Sequence, residues 1–429
     1  MFALSELSFR HAEETGDHAY YLAVAVYAFA FLFPDDPAQR PSACDPRFRT
    51  ASDLYNRSLT SGFASADRSR ALLRSGRFEL PSGTIDVTFD AATARWGPLA
   101  LSEFTPAGEL HITGLQNRYR QRGIGAPLAA DATSAVEEKE FQVAAEVKVP
   151  VTALLRIDVS RQNLAQGHLR GTIDVYPAFE PSTVEIRGQS VPLEVDTSAA
   201  FAYGHSDPKI WRSEFGGFLS GDYFDKNRFP IDGLEPYRPG QIPVVFIHGT
   251  ASSSGRWADL VNDLQSDPVI RDHFQFWWFS YSTGNPSPFS ALRLRTAIED
   301  AAHELDPKGK DSMLRQIVLI GHSQGGLLAK MLVIDNGSRK ASAPIRSWAC
   351  PGGQQEAQRV AEGVDQSVDF GAQSALAAAD RLIVILFWVR RHGAGGRARW
   401  CCQSSHIRCR PRRRGARRGA AMPLSWPSG

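Results

Sequence analysis

The stretch that most constrains this chain is Gln316–Asp335, which reads Gln-Ile-Val-Leu-Ile-Gly-His-Ser-Gln-Gly-Gly-Leu-Leu-Ala-Lys-Met-Leu-Val-Ile-Asp. The apolar run Ile317–Ile320 ends at Gly321, and Ser323 stands between Gly321 and Gly325. Leu327, Leu328, Met331 and Leu332 then follow at helical spacing. Strand, sharp turn and helix are the context in which Gly-x-Ser-x-Gly forms a nucleophile elbow. The turn strains the serine backbone, and side chains at the flanking positions would clash, so glycine occupies both. The serine hydroxyl is then presented at the C-terminal edge of a sheet. There the free N–H groups of a helix favour a developing negative charge. Without a suitable acid and histidine, the same residues are a buried strand and helix joined by a glycine turn.

A chain of 429 residues suits two or three domains. Its 43% hydrophobic and 22% charged content fits a soluble globular protein with a sizeable core. The net charge of +2 is unevenly placed, because Arg390–Gly429 holds eleven arginines and no lysine, aspartate or glutamate. The body is therefore acidic and offers no basic face for nucleic acid. Cys44, Cys350, Cys401, Cys402 and Cys409 form no disulfide framework. The apolar run Ala19–Phe33 follows Glu13, Glu14 and Asp17, without the basic start of a signal peptide. It is also shorter than the roughly 18–20 residues of a membrane span, so it reads as a buried helix. With neither signal, the compartment defaults to the cytoplasm.

Four regions are expected. Residues 1–75 are helical, with helices at Ala3–Glu14 and His18–Phe33, a third at Ala51–Leu59 and a fourth near Ala64–Leu73. The first pair resembles one tetratricopeptide-type hairpin. Leu4, Leu7 and Ala12 give its first helix an apolar side, while its second helix is apolar nearly all round and must be covered on several sides. Residues 76–235 change to period two and predict an antiparallel β-rich module. Its strands are expected at Thr84–Asp90, Glu109–Ile112, Glu146–Val151 and Gly171–Val175, with a hairpin of Thr183–Ile186 and Val191–Val195. His111, His168 and His205 in this module read as surface or satisfied histidines. Residues 236–340 alternate strand and helix: strands at Pro243–Ile247, Gln275–Ser280 and Ile317–Ile320, helices at Arg256–Gln265 and Ser290–Leu305. Leu292, Ile298 and Leu305 are expected to face inward, and Trp257, Trp277 and Trp278 to be core or pocket wall. This pattern predicts a mostly parallel sheet with helices on both faces. Residues 341–429 form an atypical tail.

Val245-Phe-Ile-His-Gly-Thr250, followed by Gly321-His-Ser-Gln-Gly-Gly326, resembles the α/β-hydrolase superfamily in its lipase- and esterase-like branch. The resemblance covers about Ile242–Asn336, and the whole body resembles bacterial predicted hydrolases of this kind. It implies an α/β-hydrolase-type sheet, complete or cut short by the tail, behind a helical hairpin and an antiparallel β-rich module. It implies a carboxylic-ester hydrolase, acting on a small-molecule or lipid-like substrate through an acyl-enzyme on Ser323. His248 and Gly249 would shape the oxyanion loop. The N–H of Thr250 or Ala251 and that of Gln324 would be the donors. His248 would brace the loop rather than act as the base, and His322 would be turned away by the elbow. No metal or nucleotide motif appears, so no cofactor is expected, and the sequence leaves oligomeric state open.

A serine nucleophile needs a histidine and an acid, in this fold after the serine and in the order acid, then histidine. Only His392 and His406 follow Ser323. The acids between are Asp335, Glu356, Glu362, Asp365, Asp369 and Asp380. Arg381–Val389 reads as a strand that would place His392 just past its end, and Asp365, Asp369 or Asp380 would be the acid. The tail admits other readings. Cys401, Cys402, His406 and Cys409 match no common zinc spacing, and the arginines suit acidic partners. A departure of the coding frame after Asn336 would leave a disordered tail and a non-catalytic, truncated chain that acts at most as a binding or scaffold module. Hydrolysis and acyl transfer would use the same elbow.

Overall fold

The computed structural model describes residues 1–333, apart from 43, 111, 113–114, 135–140, 145–146, 179–181 and 206–229, together with the backbone of 384–391 and 400–406. The chain opens with helices α1 (Phe2–Thr15) and α2 (His18–Leu32), joined at Gly16-Asp17. Gly16 is left-handed at φ +72° and its N–H donates to Ala12 O at 2.7 Å. The Asp17 carboxylate caps α2 by accepting from Ala19 N–H at 2.9 Å. Helix α3 (Pro46–Gly62) starts on the Asp45 cap with proline in its first turn. Helix α2 is buried almost all round, between α1, α3 and the first sheet. Two expectations fail here. In α1 the buried positions are Ser5 and Ala12, while Leu4 and Leu7 are 46% and 63% exposed. Residues Ala64–Leu73 form a turn rather than a helix. The Asp67 carboxylate gathers the Ser65 hydroxyl and both the N–H and hydroxyl of Ser69, local bonds that compete with a helix.

The β-rich region supplies β1 (Gly76–Leu80), β2 (Gly83–Phe89), β3 (Arg95–Trp96), β4 (Leu99–Pro106), β5 (Arg120–Gln121), β6 (Ala126–Thr133), β7 (Gln142–Val143) and β8 (Lys148–Ile157). After the short helix α4 (Arg161–Gln166) come β9 (His168–Pro177), β10 (Thr183–Ile186), β11 (Gln189–Pro192), β12 (Val195–Asp196) and helix α5 (Thr197–His205). The first sheet runs β1-β2-β9-β8-β6-β4-β3. It is antiparallel except where β2 and β9 pair in parallel. The β10–β11 hairpin turns on Arg187 and Gly188, both left-handed, the conformation a two-residue hairpin requires. Among the described residues of Glu109–Ile112, the expected strand is absent. A 3₁₀ turn over Ala107–Glu109 breaks the alternation there, and His111 lies outside the described residues.

The second sheet runs from β13 (Ile231–Gly233), β14 (Ile242–Ile247), β15 (Phe274–Phe279) and β16 (Gln316–His322) to β17 (Val384–Arg391) and β18 (Trp400–His406). Its order is β18-β17-β16-β14-β15-β13-β7. Helices α6 (Ala258–Ser266) and α7 (Pro268–His273) join β14 to β15, α8 (Ser287–Leu305) joins β15 to β16, and α9 (Gln324–Val333) follows β16. Strands β14, β15 and β16 are mutually parallel. The chain moves one way from β14 to β15 and the other way from β15 to β16. Right-handed crossovers in opposite directions must use opposite faces. Accordingly α6 packs on Val244, Phe246, Phe276 and Trp278, while α8 and α9 pack on Val245, Ile247, Trp277 and Leu319. Leu294, not Leu292, fills the inward position of α8; Leu292 is 40% exposed. Trp257, Trp277 and Trp278 are buried in the core.

Two strands of this sheet come from earlier in the chain. Strand β7 pairs with β13, and Phe141 packs on Trp277 at 4.8 Å between ring centroids. The two sheets also meet through α6. Asp259 accepts from Gln116 N–H, Asp263 accepts from the Tyr119 hydroxyl, and buried Asn262 bonds Ser198 Oγ and Asn117 O. No helix among the described residues is long and apolar enough to cross a membrane.

Candidate active site

The parallel strands β14, β15 and β16 end at one edge, where the connections from the neighbouring strands β14 and β16 depart to opposite faces, into α6 and α9. In open α/β sheets such an edge is where ligands bind. The register aligns Ile247 with Gly321, so His248-Gly249-Thr250 leaves the sheet beside the turn at Ser323. Ser323 adopts φ +53°, left-handed for a residue with a side chain, and is exposed. Helix α9 begins at Gln324, whose N–H has no acceptor within the helix.

Space explains the glycines. A Cβ at Gly321 would stand 2.5 Å from Gly325 C and O. At Gly325 it would lie 2.2 Å from Ile247 O and 2.6 Å from His248 O. At Gly249 it would come within 2.9 Å of His322 Nδ1 and 3.0 Å of Ser323 Cβ. The helix start, the strand end and the His248–Gly249 loop are thus pressed together, with Ser323 at their junction.

His248 is buried, stacks on Tyr281 with centroids 4.6 Å apart, and bonds Gly249 O through Nδ1 at 3.1 Å. In that bond the neutral ring donates from Nδ1. Burial pushes its pKa down to about 4, against the smaller opposing effect of the Gly249 bond. The Tyr281 hydroxyl donates to His248 O at 2.9 Å. His322 is also held below the ordinary histidine value, first by burial and then by the Arg256 charge. At the rim, the Thr250 hydroxyl donates to Gln324 Oε1 at 2.9 Å and Gln324 Nε2 donates to Thr283 O at 3.4 Å. Ala251, left-handed at φ +47°, donates its N–H to Thr283 Oγ1 at 3.2 Å. Thr283 carries no motif in sequence; only the meeting of three loops reveals it.

His392, Asp335, Glu356, Glu362, Asp365, Asp369, Asp380 and Cys409 lie outside the described residues. The backbone of the two late strands is described. Strand β17 runs antiparallel to β16, with Val384 opposite His322 and Arg390 opposite Gln316. Arg391 therefore ends at the edge away from Ser323. Strand β18 returns, and His406 lies opposite Ile385, itself opposite Gly321. The His406 backbone is thus two strands from the elbow end of β16, about 10 Å across the sheet. Among the described residues no group of three or more His, Cys, Asp or Glu side chains could hold a metal ion.

Comparisons with known proteins bear on the second sheet alone. No curated protein and no solved structure matches the chain. One family of sequences, described as a PGAP1-like alpha/beta domain, matches residues 238–345, from the approach to β14 to beyond α9. Over that stretch the chain is similar to the PGAP1-like family and carries a hydrolase-like α/β fold.

Proposed function

We propose that the chain is a serine hydrolase of carboxylic esters that works through an acyl-enzyme on Ser323. The observation that carries this reading is the left-handed, exposed serine at the start of α9, with Gly249 pressed against it. Ser323 Oγ would attack the ester carbonyl carbon and pass its proton to a histidine. The carbonyl oxygen would become an oxyanion facing the N–H groups of Thr250 and Gln324. Each such donor contributes on the order of 3 kcal/mol to transition-state stabilisation. The alcohol leaves with the proton, and water then attacks the acyl-enzyme with the same histidine as base. His248 is buried, neutral at pH 7 and engaged with Gly249, which supports a bracing role. The base is one of His392 and His406, and Asp365 is the candidate acid. The register of β18 favours His406. Phe289 and Leu292, each 40% exposed, stand one turn apart where α8 leaves the same sheet edge, which supports an ester with an apolar group.

Labelling with a fluorophosphonate probe tests the reading. Strong labelling that disappears in Ser323→Ala supports it, and folded protein that does not label sinks it. His406→Ala and His392→Ala then separate the two candidate bases, since the true one lowers labelling by on the order of a thousandfold or more.

One observation favours a second reading, a truncated, non-catalytic hydrolase-like chain. A crossover after α9 would return a strand parallel to β16, yet β17 is antiparallel. The family match also stops at residue 345. On this reading the chain binds ligands or partners at most, and Ser323 does not label.

A further inference from the structure

The loops after β14, β15 and β16 are joined by a closed ring of side-chain bonds. Thr250 Oγ1 donates to Gln324 Oε1, Gln324 Nε2 donates to Thr283 O, and Thr283 Oγ1 accepts from Ala251 N–H. The peptide bond between Thr250 and Ala251 completes the ring. The orientation of the Gln324 amide is fixed by chemistry, because a backbone carbonyl only accepts and so must meet the amide nitrogen. Thr283 is buried, Gln324 is half-buried and Thr250 is exposed, so the ring reaches from the core to the rim.

Two features give the ring a consequence. First, it carries both amides that would face an oxyanion, the N–H of Thr250 and the N–H of Gln324. Second, Ala251 holds a left-handed backbone without being glycine. Such a conformation is strained for a residue with a side chain and persists only where the surroundings impose it. Here the Thr283 hydroxyl holds the Ala251 amide. That bond also occupies the Ala251 N–H, which leaves Thr250 as the loop's available donor.

We infer that the side chains of Thr250 and Gln324 are positioning residues, which fix the spacing of the oxyanion amides by tying their two loops to Thr283 in the third. This rests on the assignment of Ser323 as nucleophile, and it adds a role for the Gln324 side chain beyond that of its backbone. A misplacement of about 1 Å at such amides is enough to slow reaction on the order of 100-fold.

The test compares Gln324→Leu, Thr250→Val, the double variant and Thr250→Ser, with two readouts on each folded protein. The first is the rate of fluorophosphonate labelling at saturating probe, alongside the probe concentration giving half that rate. The second is amide hydrogen exchange at Ala251. Gln324→Leu and Thr250→Val are expected to slow labelling on the order of 10- to 100-fold with little change in half-saturation. The double variant is expected to be no slower than the slower single, as members of one unit behave. Thr250→Ser restores the wild-type rate, and Gln324→Leu raises exchange at Ala251. Wild-type labelling and exchange in Gln324→Leu overturn the inference. Wild-type protein that does not label sinks the nucleophile assignment instead, while exchange at Ala251 still decides whether the ring holds the loop.

Discussion

The first sheet and the elbow edge of the second place polar groups differently. In the first, several polar side chains that tie the sheet to its neighbours are taken inside and satisfied. The Tyr55 hydroxyl, fully buried, donates to Leu155 O and accepts from Leu155 N–H, which fastens α3 to β8. Asn56 bonds Gly125 N–H and Gly123 O. Glu194, buried, accepts from Arg120 and from Gly123 N–H. At the elbow edge of the second sheet, the Thr250 and Ser323 side chains are exposed at the rim, beside left-handed backbone at Ala251 and Ser323, above buried His248 and Thr283. Bonds completed in the interior rigidify a fold. Groups held at an edge stay available to a substrate.

Substitutions can break this contrast, and the largest effect belongs to the elbow. Gly325→Ala places a methyl group 2.2 Å from Ile247 O. The clash outweighs the roughly 1 kcal/mol that alanine brings to a helix, so a loss above about 3 kcal/mol is expected. The same change at Gly188, which has open space and φ +72°, costs about 1 kcal/mol. Urea denaturation of both variants measures the gap, and equal losses would refute the packing argument.

Acid comes next. Because the folded-state pKa of His248 is depressed, the unfolded chain binds the extra proton. Stability is full above pH 6.5 and declines as pH falls towards about 4. The decline attributable to His248 reaches up to about 3 kcal/mol, and His322 adds to it in the same direction. Melting temperatures from pH 7.5 to 4.5 should show it, and His248→Asn should flatten the profile.

Tyr55→Phe tests the first sheet. It strands the buried amide and carbonyl of Leu155 and should cost about 1–3 kcal/mol without changing the labelling of Ser323. A fall in labelling at constant stability would mean that the two sheets are coupled. The smallest effect has the opposite sign. Ser323→Gly removes a side chain from a left-handed backbone and should stabilise the protein by about 1 kcal/mol, while abolishing labelling. A destabilised Ser323→Gly would show that the elbow stores no strain.

Strands β14 and β16 are legible because buried β-branched runs end at glycine, and the α/β-hydrolase resemblance rests on those residues. Other elements hide for physical reasons. Strand β4 contains Glu103 at φ +52°, where its register with β6 shifts, so the period of two is broken. Strand β6, Ala-Pro-Leu-Ala-Ala-Asp-Ala-Thr, has a single β-branched residue, at its end. In α8, Leu292 and Leu294 are two residues apart and cannot both face inward; Leu294, four residues before Ile298, shares its buried face, while Leu292, six before it, does not. The Thr250–Gln324–Thr283 ring is invisible in sequence because its members lie far apart in the chain.

The short strand β7 has one more implication. Phe141 and Gln142–Val143 sit in the edge of the second sheet but leave the ribosome well before Val245 and Ile320, which form its centre. The nascent β-rich region therefore emerges with an apolar ring that has no seat until the later strands arrive. Proteins tend to fold from the N-terminus as they are made, and here an early segment has to wait for a late one. The second sheet cannot be excised at residue 236 without leaving that edge behind. The two halves of the molecule are better seen as one cotranslational unit, in which a two-residue stitch works beside the bonds made by α6.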